Sequence, residues 1–226
     1  MKALVRRPGP RLGDGIVTHV ERTHVDLDRA RAQWEAYVRA LADAGFEPVE
    51  LPPLDDCPDA VFVEDVLVVA DGVAVATRPG AEARRAEVES AAAAAAALGY
   101  RVERIAAPAT LDGGDVLETG GTLTVGVGGR TNAEGARQLA ALTGRPVVEA
   151  PVAGVLHLKS ARTALPDGTA VAGNVADLGG GRIMVAAGDA AAAEVVAGRG
   201  FEPVAVDISE FQKLEGGVTC LSVRLR

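Results

Sequence analysis

The chain contains two cysteines and three histidines, and one of each stands where a side chain could do chemistry. Cys220 follows Glu215-Gly-Gly-Val-Thr in an apolar stretch, whereas Cys57 lies beside Pro58 in a polar loop and reads as structural. A thiol becomes a strong nucleophile where neighbouring positive charge favours its thiolate. His157, between Leu156 and Leu158, is the histidine placed to serve it as acid and base; His19 and His24 fall in a charged segment that reads as a surface loop. Carboxylates recur in equally apolar surroundings: Asp59, Glu64 and Asp65 in one region, Asp112 and Asp115 in another. Buried carboxylates are costly without a cation to pair with. A guanidinium answers that need, because its planar fork matches carboxylates bidentately. Arg78 and Arg130 could hold a carboxylate at the other end of such a ligand. Taken singly, each residue has a bland reading: a lone cysteine in an apolar strand is more often inert core, and Asp112-Gly-Gly-Asp could be only a turn. The combination points to a thiol attacking a guanidinium carbon.

Residues so far apart in sequence need a scaffold that gathers them, and the chain carries one in repeated form. Residues 62–78 and 112–130 can be laid over each other as β-hairpins, with Asp71-Gly72 and Gly120-Gly121 supplying the positive φ that tight hairpin turns require. Each ends in an arginine and a polar or Pro-Gly turn, then a helical pattern (81–98 and 133–142) and a further apolar strand (101–105 and 146–149). The unit is ββαβ and spans roughly 50 residues, a period typical of stacked or closed arrays. Weaker copies place helices over 27–44 and 190–197 and strands over 48–51, 182–189 and 203–207. The C-terminal 218–225 reads as a first strand whose partner is the N-terminal 3–6. About five units result, one split between the termini, which implies a ring closed by its own ends. The polar residues then fall at matching points of the first strands and converge on one central cavity.

The rest of the composition narrows the setting. With 226 residues, 48% hydrophobic and 24% charged, a single domain over 1–226 is expected. A net charge of −8 argues against a nucleic-acid surface and suits a cationic small molecule. No run approaches the ~20 apolar residues of a membrane span. Two arginines in the first seven residues do not fit a signal peptide, so a cytoplasmic protein with free thiols is expected.

Six segments resemble the dimethylarginine dimethylaminohydrolases, in the order that family has them: Asp59-Ala-Val-Phe-Val-Glu-Asp-Val, Thr77-Arg-Pro-Gly-Ala with Arg84-Arg-Ala-Glu-Val, Ala109-Thr-Leu-Asp-Gly-Gly-Asp-Val-Leu, Arg130-Thr-Asn, Leu156-His-Leu-Lys-Ser and Glu215-Gly-Gly-Val-Thr-Cys-Leu-Ser. The resemblance implies a five-bladed α/β propeller with pseudo-fivefold symmetry and its site on the central axis. It implies hydrolysis of Nω-methylated arginine to citrulline plus methylamine or dimethylamine, with no metal and no cofactor. Carried onto this sequence, Cys220 resembles the nucleophile, His157 the general acid and base, and Asp112 the acid that orients the histidine. Glu64 and Asp65 resemble the grip on the guanidinium, Arg78 and Arg130 the holders of the α-carboxylate, and Asp59 the partner near the α-amino group. Backbone contacts would come from Val17 and Leu214. The implied partner is a small guanidino amino acid, bound by a monomer or homodimer. Two alternatives stay open: an arginine deiminase-like enzyme acting on unmethylated arginine, and a non-catalytic propeller resembling translation initiation factor 6.

Overall fold

In a computed structural model that describes residues 1–225, the chain folds into five small sheets. β14 (Val223–Leu225), β1 (Lys2–Val5) and β2 (Glu47–Glu50) form the first, so the two ends of the chain do share one unit. β3 (Leu67–Ala70), β4 (Val73–Ala76) and β5 (Arg101–Arg104) form the second; β6 (Val116–Thr119), β7 (Thr122–Val127) and β8 (Val147–Pro151) form the third. The fourth is only a hairpin of β9 (Arg162–Ala164) and β10 (Ala170–Ala172). The fifth contains β11 (Val175–Gly179), β12 (Arg182–Ala186) and β13 (Glu202–Val206). In each three-stranded unit the first pair is antiparallel and the second parallel. The parallel pair is joined by a crossover helix: α1 (Leu27–Asp43), α2 (Val88–Ala97), α3 (Ala133–Thr143) or α5 (Ala190–Gly198).

Local chemistry explains most of these boundaries. Asp26, Asn132 and Asp189 cap their helices by accepting the backbone N–H of Arg29, Gly135 and Ala192, which leaves fewer orphan donors in the first turn. α3 stops at Gly144, whose φ of 69° closes its C-terminus. At the hairpin tip between β3 and β4, Asp71 and Gly72 both have positive φ, as the turn demands. α1 shows Ala30, Trp34, Tyr37 and Leu41 to the interior, the stripe expected of a helix lying on a sheet.

The core shows why the units form a ring. Side chains alternate across each strand, and alternate residues join different neighbours. Ala3 and Val5 of β1 pack with Met184, Ala186 and Val206 of the fifth unit, while Leu4 packs with Leu67, Ala74 and Ala76 of the second. In the second unit Val68 and Val75 turn instead to Leu123 and Val125 of the third. The first and second sheets are therefore buried on both faces of their inner strands, which a ring of blades provides.

Three expectations change. The polar residues do not sit on first strands but in short turns just before them: a single 3₁₀ turn over Val63–Val66, another over Gly113–Asp115, a one-turn helix α4 (Leu158–Ala161), and the turn holding Cys220 ahead of β14. A turn exposes backbone donors and aims side chains along the axis, which a paired strand cannot do. The helix expected over 81–98 begins with a 3₁₀ segment, Glu82–Glu87, and becomes α-helical only at Val88. The fourth unit lacks both crossover helix and third strand. Among the described residues no helix is long and apolar enough to cross a membrane.

Candidate active site

The turns that precede the first strands meet at the centre of the ring. Gly113 and Gly114 make this possible, since a Cβ on Gly113 would lie 2.0 Å from the Glu64 carbonyl and one on Gly114 would lie 2.6 Å from His157 Nδ1. Gly114 N–H donates to Asp65 Oδ1 at 3.0 Å, tying the second unit to the third. Cys220 is held from two sides. Its carbonyl accepts the Glu64 N–H, and its sulfur accepts Gly217 N–H at 3.3 Å. Tyr37, from the buried face of α1, donates to the Val218 carbonyl at 2.8 Å and pairs with Ser222.

His157 is buried at 3% exposure between two carboxylates. Nε2 lies 3.1 Å from Asp112 Oδ2, and Nδ1 lies 3.8 Å from Asp65 Oδ1. Burial alone would lower its pKa, but Asp65, the hydrogen bond to Asp112, and the charges of Asp112 and Asp115 raise it to about 9. The imidazole is therefore protonated at neutral pH. Burial, together with Glu64 and Asp65, pushes the Cys220 thiol up to about 12. At neutral pH it is neutral until a cation arrives among these carboxylates. Asp112 is fixed through its other oxygen by Gly80 N–H at 2.8 Å. Asp65 is fixed by a buried pair with Arg84, and its pKa falls because the opposing charges of His157 and Arg84 outweigh burial.

Two cavities meet back to back on the axis. The front one, of about 20 Å³, is lined by Ile16, Asp59, Asp65, Arg84, Arg130, His157, Leu214 and Cys220, among others. The rear one, of about 660 Å³, reaches Glu64, Lys159 and Thr219 at its inner end. Glu64 forms the partition: Oε1 accepts Lys159 Nζ at 2.7 Å and Oε2 accepts the Thr219 hydroxyl at 2.6 Å. The front volume holds about one water, and the lid over it includes Ile16. That lid, residues 15–19, is pinned by Asp59 to Ile16 N–H, by Glu215 to the Thr18 and His19 N–H groups, and by Arg130 to the Thr18 hydroxyl.

Of the residues expected from sequence, Cys220, His157, Asp65, Asp59, Arg130 and Leu214 line this front cavity, and Asp112 reaches it through His157. Glu64 borders the rear cavity instead, turned there by Lys159. The Arg78 guanidinium donates to the Ala109 carbonyl at 2.9 Å, beside the bridge that joins residues 78 and 111, and two residues on Gly80 packs against the Arg130 backbone. Arg84 also borders the cavity, but its guanidinium is taken up by Asp65, Glu87 and the carbonyls of Asp59 and Phe62. Ile16 lines the wall, and the Val17 side chain packs against the neighbouring core. Sequence reasoning also missed Asn174, which occupies the turn before β11, the fifth equivalent position. Its amide donates to the Lys159 carbonyl and the Thr219 hydroxyl, and its oxygen accepts the Thr219 N–H beside Cys220. The repeat itself was the available signal for Asn174.

One cluster among the described residues has metal-ligand spacing, Asp65, Asp112 and His157, whose donor atoms lie within 4.8 Å of one another. There the protonated imidazole itself carries the positive charge that the two carboxylates face.

A five-unit α/β propeller with thiol, imidazole and carboxylates gathered on its axis defines the class: the guanidino-group modifying propellers. Within it, the chain belongs to the dimethylarginine dimethylaminohydrolase family. It is 54% identical over 250 aligned residues to the N(G),N(G)-dimethylarginine dimethylaminohydrolase of Streptomyces coelicolor, covering 100% of this chain and 97% of that one. It is 33% identical to the Pseudomonas aeruginosa protein of the same name, over 98% of both. Its fold matches the citrulline complex of the Pseudomonas aeruginosa enzyme with a TM-score of 0.94 at 32% identity, covering 99% of this chain and 98% of that one. An adduct of a dimethylarginine dimethylaminohydrolase with S-methyl-L-thiocitrulline matches with the same score and identity, over 99% of both chains. No family model matches the chain.

Proposed function

We propose that the chain, acting as one catalytic domain, hydrolyses Nω-methylated arginine to citrulline and methylamine or dimethylamine. The observation that carries this reading is the imidazole held between Asp112 and Asp65 in the same buried cavity as the only thiol on the axis. The substrate's cationic head would sit among Asp65, His157 and Cys220, with its α-carboxylate toward Arg78 and Arg130 and its α-amino group toward Asp59 and the carbonyls of the lid and of residue 214.

The guanidinium supplies the positive charge that Cys220 lacks, so that the thiol gives up its proton to solvent and the thiolate is stabilised. The sulfur then forms a bond to the central carbon, and the C=N electron pair moves onto nitrogen. Collapse breaks the bond to the methylated nitrogen, which leaves as a neutral amine with the proton of His157. The remaining S-alkylthiouronium is attacked by water, whose proton passes to neutral His157. The sulfur departs as thiolate and leaves the ureido carbon of citrulline. General acid and base help of this kind is worth about 10²–10⁴-fold. Assaying citrulline after incubation with arginine, monomethylarginine and asymmetric dimethylarginine tests the reading. Turnover of the methylated compounds by wild type but not by Cys220→Ser supports it; turnover of free arginine alone overturns it.

A further inference from the structure

Asp115 has no role in the reaction above, yet it is an acid at 1% exposure directly behind the histidine. Its Oδ1 accepts the Leu158 N–H at 2.9 Å, the peptide group adjoining His157. Its Oδ2 accepts the Thr131 hydroxyl at 2.7 Å, and that same hydroxyl accepts the Asp112 N–H at 3.0 Å. One buried carboxylate thus anchors the backbone on both sides of the His157–Asp112 hydrogen bond. Gly126 leaves the room for it, since a Cβ there would lie 2.8 Å from Asp115 Oδ1 and 2.9 Å from Leu158 Cβ. We propose that Asp115, with Thr131, is a positioning residue that keeps His157 and Asp112 in register and helps hold the imidazole charged. The proposal rests on the hydrolytic reading for its kinetic consequence but not for its structural one.

A backbone latch alone would need only a neutral acceptor. A full carboxylate in this place adds charge to a ring that already faces Asp65 at Nδ1 and Asp112 at Nε2. Arg84 stands behind Asp65, Cys220 shares the cavity, and Lys159 turns away to Glu64. The charge of Asp115 is among the causes that raise His157, and burial in turn raises Asp115 itself.

The test is Asp115→Asn, which keeps the shape and an acceptor for Leu158 but removes the charge. Only three histidines are present, so the His157 ring can be followed by ¹⁵N NMR in the substrate-free protein. The expected result is a titration midpoint that moves down from about 9, with kcat reduced about 10- to 100-fold and KM little changed, as misalignment of an acid predicts. Thr131→Val should also lower kcat, and Thr131→Ser should restore it. A folded Asp115→Asn protein with unchanged His157 titration and unchanged kcat overturns the proposal. If Asp115→Asn fails to fold, the Thr131 pair decides: equal kcat in Thr131→Val and wild type is the contrary result. Should wild type prove inactive on methylated arginines, the functional reading fails while the NMR titration still decides the role of Asp115.

Discussion

Replacing Lys159 with methionine isolates what the partition between the two cavities contributes. Lys159 Nζ reaches Glu64 Oε1 at 2.7 Å and the Gly113 carbonyl at 3.1 Å, with both charged side chains largely buried, at 15% and 8% exposure. Methionine keeps most of the stem's volume but leaves the Glu64 carboxylate with only the Thr219 hydroxyl. Removing one member of a buried pair typically costs about 3–5 kcal/mol, because the other charge stays desolvated. For a chain of this length that corresponds to a fall in Tm of about 6–20 °C. Urea unfolding followed by circular dichroism measures the loss. The double variant Lys159→Met with Glu64→Gln removes the stranded charge, so it should recover most of the stability. A single variant as stable as wild type, or a double variant no better than the single, would refute the claim that this pair is energetically linked.

Three further outcomes follow from the site. Arg78→Ala and Arg130→Ala should each raise KM for an amino acid substrate, by about 10- to 150-fold for the loss of a charge-assisted contact, whereas Arg84→Ala should destabilise the fold by stranding the Asp65 and Glu87 carboxylates; an unchanged KM in Arg78→Ala and Arg130→Ala would mean that neither arginine meets the carboxylate. Activity should fall as pH rises through about 9, because the leaving amine needs the His157 proton and the raised pKa keeps that proton in place only below that value; a pH–rate profile flat to pH 10.5 would contradict this. A thiol alkylating agent should modify Cys220 faster when a guanidine is bound than when the site is free, since the cation lowers a thiol otherwise held near 12, while Cys57→Ser leaves turnover intact; labelling indifferent to the guanidine would count against substrate-assisted thiolate formation.

Much of the architecture was legible because it is written in local signals. Asp71-Gly72, the cap residues Asp26, Asn132 and Asp189, and the apolar alternation of β1, β4 and β12 each specify a turn, a helix start or a two-faced strand without tertiary help. Cys220, His157 and Asp65 were legible because they recur at matching points of the repeat. Other features depend on three-dimensional context. That Arg84 is buried depends on a 3₁₀ segment whose residues, Glu82–Glu87, read as ordinary helix. That segment is held by Arg84 pairing with Glu87 and Asp65, a constraint no local pattern shows. Glu64 faces rearward because Lys159, 95 residues away, reaches it. The fourth unit, for which the sequence showed no helical pattern, is accordingly only a hairpin.

The central claim is a covalent bond between Cys220 and the guanidinium carbon, released with the help of His157. Intact-protein mass spectrometry of His157→Gly, quenched in acid during incubation with S-methyl-L-thiocitrulline, whose thiolate leaving group needs no proton from His157, measures it directly. The account predicts a single adduct, equal in mass to that compound less methanethiol, that maps to Cys220 and is missing from Cys220→Ser. An unmodified His157→Gly protein that still turns over at the wild-type rate would contradict it.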